Sequence, residues 1–316
     1  MKELSKPKIA VIGCGYWGKN IIRTLHELKC LDSVCDFNNQ IAKNFANQYK
    51  IKSFKLNEIQ NQKHLDGICI ASPAETHRDI ALKLIKLNMP IFIEKPLATS
   101  IKDAKDIRDA AKLNNTIVQV GHLLRYHNGF NEVLKIVNNG GIGDIIHIHS
   151  LRKSFGKIRD NEDVMWSFAP HDISMILALV KQKPLKIKSY EETALHKGIT
   201  DNAEIFLNFE NCSAKISTSW LSPIKEHKLI VTGSKGAIVF DDTKNWNQKV
   251  KLIKNKITTI EDRLEIEKGD EEYVDLTEAQ PLQNELMHFI DCIENGNIPL
   301  TDASEGVDVI EVLENL

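Results

Sequence analysis

The chain has 316 residues, of which 42% are hydrophobic and 27% are charged, and its formal net charge is −2 at pH 7. These values are ordinary for a globular protein with one large domain or two smaller ones. A net charge so close to zero provides no basic field for nucleic acid or an anionic membrane surface. No apolar run approaches the roughly 18 residues of a transmembrane helix, and no signal segment is present. We therefore expect a protein that binds neither nucleic acid nor membrane.

The cysteines and histidines show no pattern of a disulfide or metal framework. The six cysteines contain no C-x-x-C pair and no zinc-finger spacing. This favours reduced thiols in the cytoplasm over disulfides or metal ligands. His147 and His149 alternate on one predicted strand, but no third ligand follows at a recognisable spacing. We therefore expect no metal site.

The first predicted strand leads directly into a glycine-rich turn. Ile9 to Ile12 form a short apolar run, and three glycines follow as G-x-G-x-x-G before a predicted helix over residues 20–28. Gly13 permits a tight turn, Gly15 lets backbone N–H groups approach a pyrophosphate, and Gly18 lets helix and strand pack closely. The pyrophosphate would lie at the positive N-terminus of the helix. The pattern predicts a dinucleotide site.

An acidic residue near the end of the second predicted strand bears on the choice of cofactor. Asp36 lies in the strand 33–37, where a carboxylate accepts hydrogen bonds from the adenosine ribose. Neither it nor the next three residues is basic, so a 2′-phosphate would meet uncompensated repulsion. NAD is therefore predicted over NADP. The alternative is a surface aspartate that ends a strand, and the glycine loop before it favours the ribose role over this alternative. Tyr16 and Trp17 lie within that loop and are predicted to bind the same cofactor.

Strands and helices alternate over residues 1–121. The further predicted strands are 66–71, 91–94 and 117–121, and the further predicted helices are 41–49, 77–87 and 101–113. This alternation predicts an α/β Rossmann domain with a doubly wound parallel sheet over residues 1–121. Thr76 and Ser100 are predicted helix caps. Ligands bind beyond the C-terminal ends of such strands, where Ser72 and Lys95 fall.

After Gly121 the pattern changes to longer alternating stretches joined by short turns. The predicted strands are 145–155, 185–191, 203–210, 214–220, 228–232 and 237–240, with helices at 130–137, 170–180 and near the C-terminus. This predicts an α+β domain over residues 122–316, with a large, open and mostly antiparallel sheet. Helices must cover one face of this sheet. The other face is solvated or buried against a partner, so a homo-oligomer is expected.

Lys95 is the first candidate for catalysis. It lies between Glu94 and Pro96 at a strand end, beside the expected nicotinamide. The proline disfavours helix at the residue before it, so the lysine is presented by a fixed turn. A cation there would hold a substrate hydroxyl and stabilise alkoxide character as hydride leaves. The alternative is a solvated surface lysine, as most lysines are.

His171 is the candidate base. Pro170 suits the first position of a helix, which predicts His171 in the first turn. The helix dipole there disfavours imidazolium and keeps the ring ready to accept a proton. Oxidation of an alcohol by NAD needs such a base. The alternative is a histidine that caps a packed helix.

Polar residues also gather at the predicted domain junction. His122, Arg125 and Asn128 follow the last strand of the first half within eight residues. Such a junction commonly forms a ligand pocket. Binding of substrate or cofactor and a purely structural role are both open for these three residues.

Four motifs carry a resemblance to a known family. They are Ala10 to Gly18, the turn from Ser72 to His77, Phe92 to Leu97 around Glu-Lys-Pro, and Trp166 to Asp172. Together they resemble the glucose-fructose oxidoreductase / inositol dehydrogenase (Gfo/Idh/MocA) family over nearly the whole chain. The resemblance implies NAD(P)-dependent oxidation or reduction of a sugar or cyclitol carbinol, with Lys95 and His171 as the catalytic pair. It also implies homodimers or homotetramers, and it places Thr76, His77 and Glu94 in the cofactor site.

The chain departs from the family pattern at one position. Many members carry Asp four residues before the histidine, where this chain has Ser167. Ser167 would cap the helix and contact substrate, but it cannot act as a carboxylate partner for His171. The resemblance therefore leaves Lys95 and His171 to share the catalytic role.

The glycine loop and the Ala-Pro-His-Asp-Ile-Ser segment look most similar to members that act on nucleotide sugars. Those members often oxidise the C3 hydroxyl of UDP-N-acetylhexosamines or their uronates. We therefore expect an NAD-dependent dehydrogenase of such a sugar. The alternatives are a free-sugar or inositol dehydrogenase, or a ketoreductase, of the same family. A non-catalytic protein that binds NAD or sugar is a further alternative, since fold does not determine substrate.

Overall fold

The structure, a computed structural model, describes residues 6–156, 158–159, 162–195 and 198–316. The chain divides into two compact units, which are Met1–Leu123 with Gln280–Glu311, and Leu124–Ala279 with Val312–Leu316. The first change of unit therefore lies close to the predicted boundary at residue 121. The chain then returns to the first unit for residues 280–311, which a single boundary does not provide for.

The helices and strands alternate regularly in the first third of the chain and become strand-rich afterwards. In chain order they are β1 (Ile9–Ile12), α1 (Gly18–Glu27), β2 (Leu31–Cys35), α2 (Asn39–Tyr49), β3 (Lys52–Ser53), β4 (Gly67–Ile70), α3 (His77–Ile85), β5 (Ile91–Glu94), α4 (Ile101–Asn114), β6 (Val118–Gly121), α5 (Asn128–Asn138), β7 (Ile145–Phe155), α6 (Val164–Val180), β8 (Lys186–Glu192), β9 (Asn202–Asn208), β10 (Ser213–Ser219), β11 (Leu221–Gly233), β12 (Gly236–Asp241), β13 (Val250–Ile253), β14 (Lys256–Ile260), β15 (Arg263–Glu267), β16 (Glu271–Tyr273), α7 (Pro281–Asn295) and α8 (Ala303–Glu314).

The first unit contains a six-stranded sheet in the order β3-β2-β1-β4-β5-β6, and its neighbouring strands run parallel. Strands β1 and β4 are buried along their whole length, as the apolar runs in the sequence predicted. The predicted doubly wound Rossmann sheet is confirmed. Ser100 caps α4 as predicted, because its side chain accepts a hydrogen bond from the Asp103 N–H.

The second unit contains an eight-stranded sheet in the order β16-β13-β12-β11-β7-β10-β9-β8. The pairs are antiparallel except for β7 and β10, which run parallel. Helix α6 contacts β7 and β10, and α5 contacts β12. The predicted large, mostly antiparallel sheet with a helix-covered face is confirmed. Strands β13 to β16 were not predicted; each has only three to five residues, and β15 and β16 expose every residue.

Helix α6 begins six residues earlier than predicted. Asp163 is its N-cap, and the side chain accepts a hydrogen bond from the Trp166 N–H. Pro170 therefore lies inside the helix, and His171 lies about two turns from its start. The prediction of His171 in the first turn was wrong. The helix dipole acts mainly within the first turn, so its predicted effect on the His171 ring does not apply.

Candidate functional site

The glycine loop after β1 depends on two close approaches of backbone. Gly13 has a φ of +96°, and a Cβ there would lie 2.6 Å from the Ala71 carbonyl group at the end of β4. A Cβ at Gly18 would lie 1.9 Å from the Gly13 carbonyl oxygen. A Cβ at Gly15 would meet nothing within 4 Å. Gly13 and Gly18 thus let loop, strand and helix touch, while Gly15 faces open space.

The N-terminus of α1 carries no side chain that competes with a bound anion. Trp17, the N-cap residue, makes no side-chain capping hydrogen bond, and the first turn holds no acidic residue. The Lys19 and Asn20 N–H groups donate to the Gly15 and Trp17 carbonyl oxygens, and an anion at this positive helix end would meet no competing carboxylate from the first turn. Together with the open space at Gly15, this fits the pyrophosphate of a dinucleotide.

Asp36 lies directly after β2 and holds the loop in place. Its Oδ2 accepts a hydrogen bond from the Cys14 N–H at 2.7 Å, and its Oδ1 accepts one from the Asn38 N–H at 2.8 Å. A carboxylate offers about four acceptor positions, so capacity is left for ribose hydroxyls. Phe37, which follows it, is exposed. The residues fit the adenosine end of NAD.

Replacement of Asp36 by alanine is expected to weaken NAD binding by about 10- to 100-fold, because hydrogen bonds to a charged group contribute about 1.5–3 kcal/mol each. It should also narrow the preference for NAD over NADP, since the repulsion of a 2′-phosphate is removed. Calorimetric titration with both cofactors measures the two effects. Asp109→Ala, at an exposed position on α4, is the matched control. Unchanged NAD affinity in Asp36→Ala would exclude the ribose role.

The turn after β4 is tied to the turn after β5 by His77. Its Nδ1 lies 2.9 Å from the Pro96 carbonyl oxygen, and its Nε2 lies 2.9 Å from the Ser72 carbonyl oxygen. Burial lowers the pKa of His77. Thr76 is the N-cap residue of α3 as predicted, but its side chain makes no capping hydrogen bond. Its hydroxyl instead donates to the Pro73 carbonyl oxygen and bonds the Ser72 hydroxyl. His77 therefore acts as a brace, and cofactor contacts of Ser72, Thr76 and His77 stay predictions.

Lys95 follows β5 and is joined to the glycine loop through Glu94. The Trp17 indole N–H donates to Glu94 Oε1, and the Lys95 backbone N–H donates to Glu94 Oε2 at 3.2 Å. Lys95 is partly exposed, and Tyr16 is largely exposed. The structure thus brings Trp17, Glu94 and Lys95 together, as the predicted cofactor site requires.

Sequence reasoning missed one acidic residue in this region. Glu285 on α7 is 1% exposed, and its charge interacts with that of Glu94. The sequence did hold a signal, because Glu285 falls on the apolar face of α7 beside Leu286 and one turn before Phe289. A carboxyl on such a face is rare and points to a special environment.

In the second unit, α6 is fastened to the sheet by the residue next to His171. Asp172 is buried, and its carboxylate accepts hydrogen bonds from Ser150 Oγ at 2.6 Å and from Arg152 Nε at 2.5 Å. The Arg152 Nη2 adds a second contact to Asp172 at 3.1 Å. His171 itself is partly exposed. The bidentate pair sets the rotation of α6 and hence the direction of His171.

Sequence reasoning also missed this ion pair. Its signal was two polar residues, Ser150 and Arg152, at alternate positions that share a face of β7 with buried Ile148. His227 on β11 pairs with Arg152 across the sheet. Burial and the Arg152 cation lower the pKa of His227 to about 4, so its ring is neutral at neutral pH. His227 thus adds no charge beside the Arg152–Asp172 pair.

Ser167 lies inside α6 and is buried, so its predicted role as a helix cap was wrong. Asp163 takes that role because its carboxylate reaches the Trp166 N–H. Burial raises the pKa of Asp163. Ser167 has no carboxylate, so the Asp–His pair of many family members has no counterpart at this position. A contact of Ser167 with substrate stays a prediction.

The three polar residues after β6 lie in different environments. His122, in the first unit, is 1% exposed, and its Nδ1 lies 2.5 Å from Glu305 Oε2. In the second unit, Arg125 is buried, and Asn128 begins α5 and donates to the Thr277 carbonyl oxygen at 2.8 Å. The His122–Glu305 contact joins β6 to α8 and supports a structural role for His122. Substrate binding by these residues stays a prediction.

The remaining cysteines and histidines are held in protein contacts. The six cysteines are free thiols, and burial raises the pKa of Cys14 and Cys35 to about 12. His147 and His149 bond Ser213 and Ser217. Among the described residues, no group of three histidine, cysteine or acidic side chains is placed to hold a metal ion. None of the helices in the described part of the chain is long and apolar enough to cross a membrane.

Comparison with protein families gives two matches that together span most of the chain. A profile described as "Oxidoreductase family, NAD-binding Rossmann fold" (GFO_IDH_MocA) matches residues 7–122. A second, described as "Oxidoreductase family, C-terminal alpha/beta domain" (GFO_IDH_MocA_C), matches residues 135–316. Asp36 and Lys95 fall within the first match, and His171 falls within the second.

Individual relatives are distant. The chain is 25% identical over 247 residues to the 2,7-anhydro-N-acetylneuraminate hydratase of Escherichia coli K12, with 73% of this chain and 66% of the relative covered. It is 22% identical to the scyllo-inositol 2-dehydrogenase (NAD(+)) of Bacillus subtilis 168, with 96% and 91% covered. Among solved structures, UDP-N-acetylglucosamine 3-dehydrogenase from Acidithiobacillus ferrooxidans has a TM-score of 0.86 at 19% identity, covering 98% of this chain and 96% of that one. This likeness shows the fold.

Proposed function

The chain belongs to the Gfo/Idh/MocA oxidoreductase family, and from this we propose that it oxidises the C3 hydroxyl of a UDP-N-acetylhexosamine or its uronate to a keto sugar. At the level of the family, it is an NAD-dependent oxidoreductase of sugars or polyols. The narrower substrate is supported by the nucleotide-sugar-like motifs around Trp17 and His171. It is also supported by the nucleotide-sugar dehydrogenase among the structural neighbours.

The observation that carries the proposal is the link from the glycine loop through Glu94 to Lys95. Bound NAD supplies the acceptor for the hydride. The Lys95 ammonium would hold the reacting hydroxyl and stabilise negative charge on its oxygen as the proton leaves. A lysine fixed by its own backbone next to the cofactor loop is suited to this task.

His171 would accept the hydroxyl proton. Imidazole is the side chain that most often serves as a general base near neutral pH. Its direction is set by the neighbouring Asp172, which is bound to Arg152 and Ser150. Ser167 supplies no carboxylate to this step, so the histidine acts without the Asp of other family members.

A substrate panel tests the proposal. The purified protein with NAD is expected to show a kcat/KM for a UDP-N-acetylhexosamine or its uronate at least about tenfold above free sugars and inositols, because one hydrogen bond to a charged group is worth about that factor. The assay follows nicotinamide absorbance, with sugar products identified by mass spectrometry. A higher kcat/KM for inositol or a free sugar would indicate an inositol or free-sugar dehydrogenase. Preferred turnover of the keto sugar would indicate a ketoreductase.

Two further outcomes would contradict oxidation of a nucleotide sugar. One is NAD binding with no hydride exchange from labelled cofactor for any sugar in the panel, which indicates a binding protein. The other is a product formed without net change in NADH, as the name of the hydratase relative suggests for that protein. Assembly as a homodimer or homotetramer and a cytoplasmic location stay predictions from the resemblance and the cysteine pattern.

A further inference from the structure

A space for a carboxyl group lies beneath Lys95 in the first unit. Glu94, the last residue of β5, pairs with Gly121 of β6 in the parallel sheet. A Cβ at Gly121 would lie 3.0 Å from Glu94 Oε2 and 3.1 Å from the Phe92 ring. The absence of a side chain at Gly121 therefore leaves the room that the Glu94 carboxyl occupies.

The Glu94 carboxyl holds two parts of the cofactor half-site at once. One oxygen accepts from the Trp17 indole N–H in the glycine loop, and the other accepts from the Lys95 backbone N–H. Both hydrogen bonds favour the ionised form of the acceptor. The loop and the lysine therefore share one anchor.

A second carboxyl lies on the same side of the sheet. Glu285 on α7 is 1% exposed, and within the described residues its Oε1 has no hydrogen-bond partner. Gln119 on β6 donates to the Glu285 backbone carbonyl oxygen at 3.0 Å, and its own Oε1 is likewise buried and unpartnered among the described residues. An ionised carboxylate in such a place would lack the donors it needs, whereas a protonated carboxyl brings its own donor.

The charges around Glu94 come from three elements. Lys95 directly follows β5, Cys69 lies on β4, and Glu285 lies on α7. Burial raises the pKa of Glu94 to about 7, while the Trp17 hydrogen bond and the Lys95 cation oppose the rise. Burial and the Glu94 charge raise the pKa of Glu285 well above its usual range, and burial raises that of Cys69. Glu94 therefore ionises as the pH rises through about 7, while the raised pKa values of Glu285 and Cys69 favour their neutral forms.

We propose that Glu94 is a positioning residue whose ionised carboxylate holds Trp17 and the backbone of Lys95 in place, and that Glu285 keeps the single proton of this buried pair. The inference rests on the proposed function only in treating Lys95 as the catalytic cation. Protonation of Glu94 weakens both hydrogen bonds together. The glycine loop and Lys95 therefore loosen in one step as the pH falls.

The test is a pH titration of tryptophan emission on the cofactor-free protein, which has four tryptophans. The contribution of Trp17 is the tryptophan emission of the unchanged protein minus that of Trp17→Phe. We expect one step in this difference with a midpoint at about pH 7. Glu94→Gln, measured against its own Trp17→Phe double variant, should abolish the step, and Glu75→Gln, at an exposed position, should keep it. A flat difference in the unchanged protein, or a step that survives in Glu94→Gln, overturns the role of Glu94.

Glu285→Gln tests where the proton resides. Glutamine imitates a protonated glutamate in shape and charge, so the Trp17 midpoint should stay within about half a pH unit. If Glu285 were ionised beside Glu94, the same change would remove a negative neighbour and lower the midpoint by more than about one unit. That result would overturn the assignment of the proton. Circular dichroism of each variant checks folding. A Trp17 emission difference that does not change with pH in the unchanged protein would overturn the role of Glu94 without any variant at Glu94 or Glu285.

This titration uses no substrate and no NAD, so its failure is separate from failure of the proposed function. A protein that showed the step at about pH 7 but oxidised no sugar would keep the positioning role. A protein that oxidised a nucleotide sugar without the step would keep the activity and lose the positioning role.

Discussion

Replacement of Lys95 by methionine is expected to lower kcat for the sugar substrate by about two to four orders of magnitude, the usual contribution of a positioned charged or proton-transferring group. Methionine keeps the apolar stem and removes only the cation. The Glu94 contact is made by the Lys95 backbone, so the variant retains that hydrogen bond. NAD affinity should therefore change by less than about threefold, within the range expected when no cofactor contact is lost.

His171→Ala is expected to lower kcat by a similar factor, because the proton of the hydroxyl then has no base. The loss should be smaller at high pH, where hydroxide replaces a missing base, and this pH dependence separates a catalytic from a packing role. Steady-state kinetics from about pH 6 to about pH 10 measure this dependence. His64→Ala, at an exposed position that contacts Asp32 in the first unit, is the histidine control and should leave kcat unchanged.

The matched control for Lys95 is Lys102→Met, on the exposed side of α4. It removes the same charge without touching the cofactor half-site and should leave kcat unchanged. Near-normal turnover in Lys95→Met or in His171→Ala would remove that residue from the mechanism. A large rise in the Kd for NAD with unchanged kcat would instead assign Lys95 to cofactor binding.

Asp172→Ala is expected to destabilise the protein by about 3–5 kcal/mol, because it leaves the Arg152 guanidinium buried without its partner. Arg152 is mostly buried, and two of its nitrogens bond Asp172 in the intact protein. Urea denaturation measures the free energy of unfolding of the single variants and of the double variant Arg152→Met/Asp172→Leu. The free energy of unfolding should fall less in the double variant than in Asp172→Ala, since neither charge is left unpaired.

The same variants report on His171. If the ion pair sets the rotation of α6, the double variant should fold yet show a reduced kcat with a smaller change in KM. Equal stability loss in the single and double variants would mean that packing of α6, rather than the unpaired charge, dominates. Asp109→Ala, at an exposed position, is the control and should stay within about 0.5 kcal/mol of the parent.

The sequence alone was sufficient for the first half of the cofactor site because its signals are local. Apolar runs mark strands buried on both faces, and the spacing of Gly13, Gly15 and Gly18 lies within six residues of one loop. The alternation of strands and helices then places the end of β5, with Lys95, at the same edge as the glycine loop. These predictions depend on neighbours in the chain, so folding does not alter them.

The start of α6 shows where local signals mislead. Pro170 favours a helix start, but Asp163 satisfies the first N–H groups and the helix continues through the proline. Packing of α6 against β7 and β10 outweighs the hydrogen bond that Pro170 cannot make. The position of His171 relative to the helix end was therefore decided by tertiary contacts.

By itself the sequence determined the Rossmann sheet, the glycine loop and the sheet-rich second half. It also pointed to Lys95 and His171, whose catalytic roles stay predictions. The tertiary structure alone decided which buried charges meet, as with Glu94 and Glu285, or Arg152 and Asp172. These partners lie far apart in the chain, so no periodicity records them. A buried charge is stable only beside the donor or proton that folding brings to it, and that partner is chosen by packing.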